Sequence, residues 1–235
     1  TSQLNTIKKF IKLNQIKKSI FLIPNLNYEL EIKRGIKNSK IKTYKRYYYD
    51  SEPTKLTKQI EKITNYEIRK QNLIDEIIRL ENSEDPNKER KIENLKKKYT
   101  LGGVNFDSII IADFDESLKS VITSLLYTDV SPKDKYFITF NQWFNKSLLN
   151  EPGSQPIYYP SINKKNLEDF EKKFIGQFNQ KPNHISLLSY DLIGLIYYLS
   201  LQNQPSQINK AFNTKNSFKG KIGIFDIENN KINHR

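Results

Sequence analysis

The chain has 235 residues, enough for one large domain or two small ones, and 37% hydrophobic residues supply a core. It contains no cysteine, which excludes disulfides, thiolate catalysis and cysteine-ligated metals. Its 39 basic and 26 acidic residues give a net charge of +13, and its longest apolar stretch, Ile185–Leu201, is interrupted too often by polar residues to predict a membrane span.

The first fifty residues predict helices and strands in alternation. Apolar residues at Leu4, Ile7 and Ile11 share one helical face. Short apolar or aromatic runs elsewhere have the composition of strands. The pattern predicts a helix over Thr1–Leu13, a strand over Ser19–Ile23, a helix over Leu26–Lys37 and a strand over Ile41–Tyr49.

A long charged helical region follows. One apolar stripe runs from Thr54 to about Asn82, Pro86 interrupts it, and a short helix resumes over Lys88–Lys98. The two parts predict an αα-hairpin. It is either a protruding arm that binds a partner or a solvated extension of an ordinary layer helix.

The second half continues the alternation. We expect the helix at His184 to be the most buried of the chain because it is the most apolar. The Asn-Asn pair near the end predicts a turn into a returning strand. The predicted elements are strand Phe106–Ala112, helix Glu116–Tyr127, strands Tyr136–Phe140 and Pro156–Tyr159, helices Asn163–Phe178, His184–Leu201 and Ser206–Phe212, and strand Ile222–Ile227.

Alternating helices and strands indicate an α/β fold, a three-layer doubly wound parallel sheet with helices on both faces. Such sheets bind ligands beyond the carboxyl ends of their strands. No nucleotide motif lies there: Gly102 and Gly103 precede their strand, whereas a phosphate-binding turn must follow one and open a helix. These glycines therefore predict only a turn.

Three acidic residues, Asp113, Asp115 and Glu116, follow the strand at Phe106–Ala112. Carboxylates there are able to hold a metal, act as a general base or bind a ligand ammonium group. They also cap helices, because they accept from free N–H groups and face the positive end of the helix dipole. We favour capping, with one side chain left to face the ligand cleft.

Histidine chemistry is sparse. His184 and His234 have no partner at metal-ligand spacing, and no strand–serine–helix elbow is present. We therefore expect no enzymatic activity, no metal and no cofactor.

Aromatic residues follow three of the predicted strands. Tyr28, Phe114 and Trp143, which is the single tryptophan, each lie just beyond a strand end. Aromatic walls with a few polar groups are typical of small-ligand clefts. Ordinary core packing explains the same positions equally well.

The positive charge has two readings. A net charge of +13 is typical of proteins that bind nucleic acid or an acidic surface, but also of lysine-rich surfaces encoded in an AT-rich background. Arginine performs the bidentate contacts with phosphates and bases, and only six of the 39 basic residues are arginine. We expect no nucleic-acid partner.

The chain resembles the type I periplasmic-binding proteins. "HISLLSYDLIGLIYYL" followed by "FKGKIGIFDIENNKINHR" is similar to their closing half, with matches at Tyr190, Asp191, Gly220, Gly223, Phe225 and Asp226. "FDSIIIADFDESLKSVI" and "IKKSIFLIPNLNYEL" resemble two earlier segments, although Glu29 stands where the family has glycine. The helix pair before "FDSIII" is most similar to the alphaproteobacterial penicillin-binding protein activators, relatives of the leucine/isoleucine/valine-binding proteins.

The resemblance implies a two-lobed protein whose first lobe is incomplete in this fragment. Residues 1–150 would form mostly the second lobe, with the helix pair at 54–98 inserted. Residues 151–217 would return to the first lobe, and 218–235 would cross back. It also implies that Tyr28 and Phe114 flank a ligand, with Asp113 and Asn141 adjacent in the cleft.

The function that the resemblance implies is binding without catalysis, in the periplasm. The protein would be an activator of a cell-wall synthase or a receptor for a small amino-acid-like solute, such as the binding component of an ABC transporter. A lipoprotein segment preceding this chain would be its membrane anchor. A basic nucleic-acid-binding protein is the alternative from another class.

Overall fold

A computed structural model of the protein describes residues 1–141, 153–202, 216–221, 223–228 and 231–234. The elements in these ranges alternate as the sequence predicts through the first sheet. They are α1 (Ser2–Leu13), β1 (Ser19–Pro24), α2 (Glu29–Ser39), β2 (Lys45–Tyr49), α3 (Pro53–Thr64), α4 (Tyr66–Glu81), α5 (Lys88–Lys96), β3 (Ser108–Ile111), α6 (Asp115–Tyr127), β4 (Tyr136–Thr139), β5 (Ile157–Tyr158), α7 (Lys164–Phe178), α8 (His184–Gln202), β6 (Asn216–Lys219), β7 (Ile224–Glu228) and β8 (Lys231–His234).

The first compact unit contains Ile7–Phe140 and β5. Its five strands are all parallel, in the order β2-β1-β3-β4-β5. The order reverses between β1 and β3, because β2 lies on one side of β1 while β3 and β4 extend on the other. This reversal is the place where a doubly wound sheet opens a crevice beyond its strand ends.

The central strands are hydrophobic on both faces. Every residue of β1 and of β3 is buried, as expected for parallel strands covered by helices on both sides. Residues from α3 and α6 complete one core cluster with Ile20, Ile109 and Ile111, including Leu56, Ile60, Leu118, Val121, Ile122 and Leu125.

The long helix predicted over Thr54–Asn82 is two helices, α3 and α4. Asn65 separates them with φ of 51°, a left-handed conformation that asparagine tolerates better than most residues. Arg69 in α4 then donates to the carbonyl oxygens of Gly102 and Thr128 at 2.9 Å each. These bonds tie the start of the α4–α5 hairpin to the loops that precede β3 and β4.

The second compact unit contains Pro160–Arg235, with Asn141 and Ser2–Thr6 grouped in it. In its described residues α7, capped by the Asn163 side chain, and α8 accompany an antiparallel sheet of order β6-β7-β8. The returning strand is confirmed as β8, whereas the sequence pattern did not predict β6. The helix predicted at Ser206–Phe212 lies outside the described residues.

The prediction that the helix at His184 is the most buried was wrong. In α8 Leu187, Leu195 and Leu199 are buried, but Ile193 and Tyr197 are 66% and 64% exposed. Its apolar residues surround the helix rather than forming one stripe, so a single packed face leaves the others open. None of the helices in the described residues is both long and apolar enough to cross a membrane.

Two of the resemblance positions meet in the second unit. The Asp191 carboxylate accepts from the backbone N–H of Lys221 at 2.8 Å and is buried. A Cβ added to Gly220 would overlap that carboxylate. The glycine is therefore required by close approach to a buried, hydrogen-bonded aspartate.

Candidate functional site

Asp113 is the centre of a polar cluster at the carboxyl edge of the first sheet. It lies two residues beyond β3 and is 1% exposed. One carboxylate oxygen accepts from the Tyr28 hydroxyl at 3.1 Å and from the Phe114 N–H at 2.9 Å. The other accepts from the Tyr49 hydroxyl at 2.5 Å and from the Ser117 hydroxyl at 2.6 Å.

These four bonds use the acceptor capacity of an ionised carboxylate, which has about four lone-pair sites. Asp113 therefore fixes its neighbours and leaves ligand contact to side chains nearer the surface. Its backbone donor is the N–H of Phe114, which precedes α6. No acidic side chain caps the helix by a hydrogen bond, so that part of the capping prediction was wrong, although Asp115 and Glu116 do lie in the first turn at the positive end of the dipole. Phe114 is the N-cap residue itself and makes no side-chain cap.

The two tyrosines reach Asp113 from different elements. Tyr49 ends β2, where it lies in register with Pro24 of β1, and Tyr28 is the N-cap of α2. Burial, and then the charge of Asp113, raises the pKa of both hydroxyls. Both phenols therefore remain protonated at neutral pH and donate to the carboxylate.

Aromatic rings line the surface beside this cluster. The ring centroids of Tyr28 and Phe114 lie 6.0 Å apart in an edge-on arrangement. Phe114 stacks on Phe140, which follows β4, at 6.2 Å. Tyr28 is half-buried and Phe114 is 38% exposed, so both rings are accessible from the edge of the sheet.

The rim around these rings is acidic. Beyond β2, Asp50 and Glu52 are ion-paired with Lys55 of α3, and Asp113 beyond β3 is buried. Asp115 and Glu116 follow in the first turn of α6 and are exposed. The negative potential of Asp115 and Glu116 favours a positively charged group beside the rings.

Three of the five predicted site residues, Tyr28, Asp113 and Phe114, lie together in the first unit. Asn141 groups with the second unit, where its backbone N–H donates to the Gln3 side chain at 2.9 Å. Trp143 lies outside the described residues.

Sequence reasoning missed Tyr49, Ser117 and Phe140. Tyr49 reads as one residue of a strand, and only the register of β2 against β1 shows that it ends level with Pro24. Ser51, two residues later, has the single buried side-chain oxygen in the described residues that makes no hydrogen bond. The sequence analysis considered only residues that follow a strand. Including the last residue of each strand would have found Tyr49.

No metal site accompanies this cluster. In the part of the chain that the structure describes, no three histidine or acidic side chains are grouped to hold an ion. The side chains of His184 and His234 are not among those described. Gly102, with φ of 97°, turns the chain before β3, as its position in the sequence predicts.

The second unit contains an open groove of about 1080 Å³ between α7 and α8. Its walls are largely aromatic and aliphatic, with Lys173 and Lys221 as the charged side chains. Phe170, Phe174, Phe178, Ile185, Tyr190 and Ile193 supply the apolar lining.

No protein-family model matches the chain, and no curated protein matches it. Solved structures do. An extracellular ligand-binding receptor from Desulfohalobium retbaense has a TM-score of 0.53 at 11% identity, over 97% of this chain and 35% of that one. The leucine-, isoleucine-, valine-, threonine- and alanine-binding protein from Brucella ovis, in a closed conformation, has a TM-score of 0.53 at 12% identity, over 95% and 52%.

A solute-binding protein of an ABC transporter from R. palustris, in complex with 4-hydroxybenzoate, has a TM-score of 0.52 at 9% identity, over 100% of this chain and 63% of that one. These likenesses show the fold, which is that of the type I periplasmic-binding proteins. The chain spans between about a third and two thirds of the length of these three structures.

Proposed function

We propose that the protein binds a small solute at the carboxyl edge of its first sheet, without catalysis. The observation that carries this proposal is the Tyr28 hydroxyl. Its hydrogen is committed to Asp113, so its oxygen is left with lone pairs that accept from a ligand. An accessible acceptor beside an exposed phenylalanine is suited to binding a ligand.

The arrangement favours a ligand with an ammonium group. Tyr28 offers an acceptor, the face of Phe114 attracts a cation, and Asp115 and Glu116 add negative potential. A ligand carboxylate gains nothing from these groups. An amino acid oriented with its ammonium toward Tyr28 is therefore the class we propose.

Isothermal titration of the protein with leucine, valine and alanine, and with 4-hydroxybenzoate for comparison, tests this proposal. We expect an amino acid to bind more tightly than the aromatic acid, which lacks an ammonium group. Tyr28→Phe keeps the ring and removes the acceptor. A lost hydrogen bond to a charged group costs about 1.5–3 kcal/mol, or about ten- to a hundredfold in Kd.

Tyr99→Phe provides the matched control, because Tyr99 is 76% exposed and follows the helix pair rather than a strand end. Equal loss of affinity in both variants would contradict the site. Absence of heat with all four compounds, in protein with a normal unfolding transition, would contradict solute binding by this class.

Under this proposal the protein is a periplasmic receptor that delivers its solute to an ABC transporter. Two of the similar structures support the role: one is a solute-binding protein of an ABC transporter and another is an extracellular ligand-binding receptor. The proposed lobes keep the boundaries expected from the resemblance, with residues 1–150 mostly in the second lobe.

A second candidate function is contact with a cell-wall synthase through the α4–α5 helix pair. One observation favours it: Ile68, Ile74 and Ile78 on α4 are 63%, 44% and 49% exposed. Ile74 and Ile78 are one helical turn apart and form an apolar contact surface. Ile74→Ser with Ile78→Ser should abolish binding to an immobilised purified synthase in biolayer interferometry and leave amino-acid titration unchanged.

A further inference from the structure

The charges of the first unit are segregated between the two edges of its sheet. The loops that lead into β1, β2, β3 and β4 carry eight lysines and three aspartates, and β2 itself begins with Lys45 and Arg46. The loops that leave β2 and β3 carry three acidic residues and no basic one. Lys55 near the carboxyl edge is ion-paired with Asp50 and Glu52, whereas the lysines of the amino-edge loops outnumber the aspartates there, so the amino edge is a basic surface.

The strand starts are aligned, which places these residues in one row. The N–H of Tyr44 donates to the Ser19 carbonyl oxygen at 2.7 Å, and that of Asp107 donates to the Lys18 carbonyl oxygen at 2.8 Å. The N–H of Tyr136 donates to the Asp107 carbonyl oxygen at 3.1 Å. The backbone ladder therefore extends one residue beyond the strands and holds the loops side by side.

Lysines surround an exposed tyrosine on this edge. The ammonium groups of Lys18 and Lys45 lie 5.3 and 5.6 Å from the centroid of the Tyr44 ring, which is 45% exposed. Asn105 donates to the Tyr44 hydroxyl at 3.3 Å and accepts from the Lys18 ammonium. Lys17 is also exposed.

An apolar side chain accompanies the lysines. Leu13 ends α1, five residues before Lys18, and is 81% exposed. The helix dipole favours a lysine in the last turn of a helix, such as Lys12, but this electrostatic effect fades within one turn. It does not account for Lys18 and Lys45 at strand starts, nor for an exposed leucine.

We propose that this amino edge, formed by Leu13, Lys17, Lys18, Tyr44, Lys45 and Arg46, docks on the surface of an anionic phospholipid bilayer. Lysines near such a surface are attracted by its negative potential. Tyrosine is enriched at the headgroup level, and an exposed leucine gains free energy by entering the acyl boundary. Nucleic acid is the less suitable partner because this row holds one arginine among its lysines and offers no groove.

Surface docking by the amino edge leaves the solute site free, because Tyr28 and Phe114 lie at the opposite ends of the strands. A receptor held at a membrane by one edge would present its ligand-binding edge to the solution. The docking surface does not depend on the identity of the solute.

Sedimentation with vesicles tests the proposal. We expect binding to phosphatidylcholine vesicles that contain 30% phosphatidylglycerol, little binding to pure phosphatidylcholine, and loss of binding as NaCl rises. Each lysine at an anionic surface contributes about fivefold in partitioning. The triple variant Lys17→Gln, Lys18→Gln, Lys45→Gln should therefore bind on the order of a hundredfold less.

The matched control is Lys165→Gln, Lys172→Gln, Lys181→Gln, which removes the same charge from exposed lysines of the second unit. It should retain binding. Leu13→Ser should weaken binding without changing its salt dependence. Circular dichroism verifies that each variant is folded.

Equal losses in the two triple variants would overturn the docking surface and leave only a net-charge effect. Binding to a DNA duplex with no binding to anionic vesicles would also overturn it and assign the edge to nucleic acid. Neither result bears on the solute site, which titration of the unmodified protein tests separately.

Discussion

At the scale of single residues, the Asp113 cluster controls how stability depends on pH. Burial and the Asp113 charge raise the pKa of Tyr49 above its ordinary value of about 10. The folded state therefore holds this proton more tightly than the unfolded state. The stabilisation is complete below about pH 10 and is lost as the pH rises above it.

Tyr49→Phe should remove the part of this dependence that comes from Tyr49, while the raised pKa of Tyr28 remains. At neutral pH the variant loses a hydrogen bond to a charged group, which costs about 1.5–3 kcal/mol. Above about pH 10 the unmodified protein loses stability by up to about 1.4 kcal/mol per pH unit for this proton, so the two proteins should converge. Urea unfolding between pH 7 and 11 measures the difference, and a constant gap across that range would contradict the argument.

A second residue-scale prediction concerns Gly220. The Asp191 carboxylate that a Cβ would overlap is buried and holds the Lys221 N–H at 2.8 Å, so it cannot move without breaking that bond. Gly220→Ala should destabilise the protein by about 1–3 kcal/mol.

The control for Gly220→Ala is Gly176→Ala in α7, where an added Cβ meets nothing within 4 Å. Alanine should stabilise that helix by about 0.5–1 kcal/mol. Thermal unfolding followed by circular dichroism separates the two variants. An unchanged unfolding midpoint for Gly220→Ala would mean that the Asp191 carboxylate has a second position of similar energy that avoids the added Cβ.

The same residues show what sequence can predict about a site. Tyr28, Asp113 and Phe114 were predicted together because the carboxyl ends of parallel strands meet at one edge whatever their sequence. Tyr49 was not, since its contribution depends on register between β2 and β1. That Asp113 is saturated by four donors follows from side-chain directions, which spacing alone does not give.

At the scale of elements, Arg69 fastens α4 to the rest of the first unit. Beyond its bonds to Gly102 and Thr128, it donates to the Thr100 hydroxyl at 2.7 Å and to the Asp129 carbonyl oxygen at 3.2 Å. Burial lowers the pKa of the guanidinium, with Asp129 opposing that effect. Planar geometry lets one side chain satisfy acceptors in several loops at once.

Arg69→Met should cost about 2–4 kcal/mol, because it leaves buried carbonyl oxygens without donors. Arg79→Met, in the same helix, removes an exposed arginine paired with Glu76 and should leave the unfolding midpoint unchanged. Hydrogen exchange should locate the Arg69 effect at the amides near Thr100 and Thr128. Uniform loss of protection throughout the first unit would contradict a local role.

Elements differed in how well their sequences predicted them. β1 and β3 were found because parallel strands buried on both faces are continuous apolar runs. The break at Asn65 was missed, since the apolar stripe crosses it and only backbone conformation marks the end of α3. The exposure of α8 was missed because apolar side chains favour burial, but how many of them are buried depends on which elements pack against the helix.

At the scale of the whole molecule, alternation of helices and strands was sufficient to predict the fold. Chain order alone indicated a parallel sheet with helices on both faces, and the structural likenesses agree at identities near 10%. The charge pattern was less accessible. A net charge of +13 was visible, but its segregation between two sheet edges requires knowing which loops enter the strands and which leave them.

This excess charge should make stability depend on salt in a particular direction. With 39 basic and 26 acidic residues, repulsion among lysines opposes the compact state at low ionic strength. The Debye length falls from about 30 Å at 0.01 M to about 8 Å at 0.15 M, so added NaCl should raise the thermal midpoint steeply and then level off. The exposed ion pairs, such as Lys97 with Glu93, weaken with salt but contribute little.

In the amino-edge variant Lys17→Gln, Lys18→Gln, Lys45→Gln the thermal midpoint should rise less with salt than in the unmodified protein. The variant lacks lysines that lie close together and repel one another. The control variant at Lys165, Lys172 and Lys181 carries the same net charge, and its curve should lie nearer that of the unmodified protein. Scanning calorimetry from 10 to 500 mM NaCl provides the comparison. A midpoint that falls with salt would mean that attraction within ion pairs outweighs repulsion, and the clustered lysines would then be neutralised within the fold rather than available to a partner.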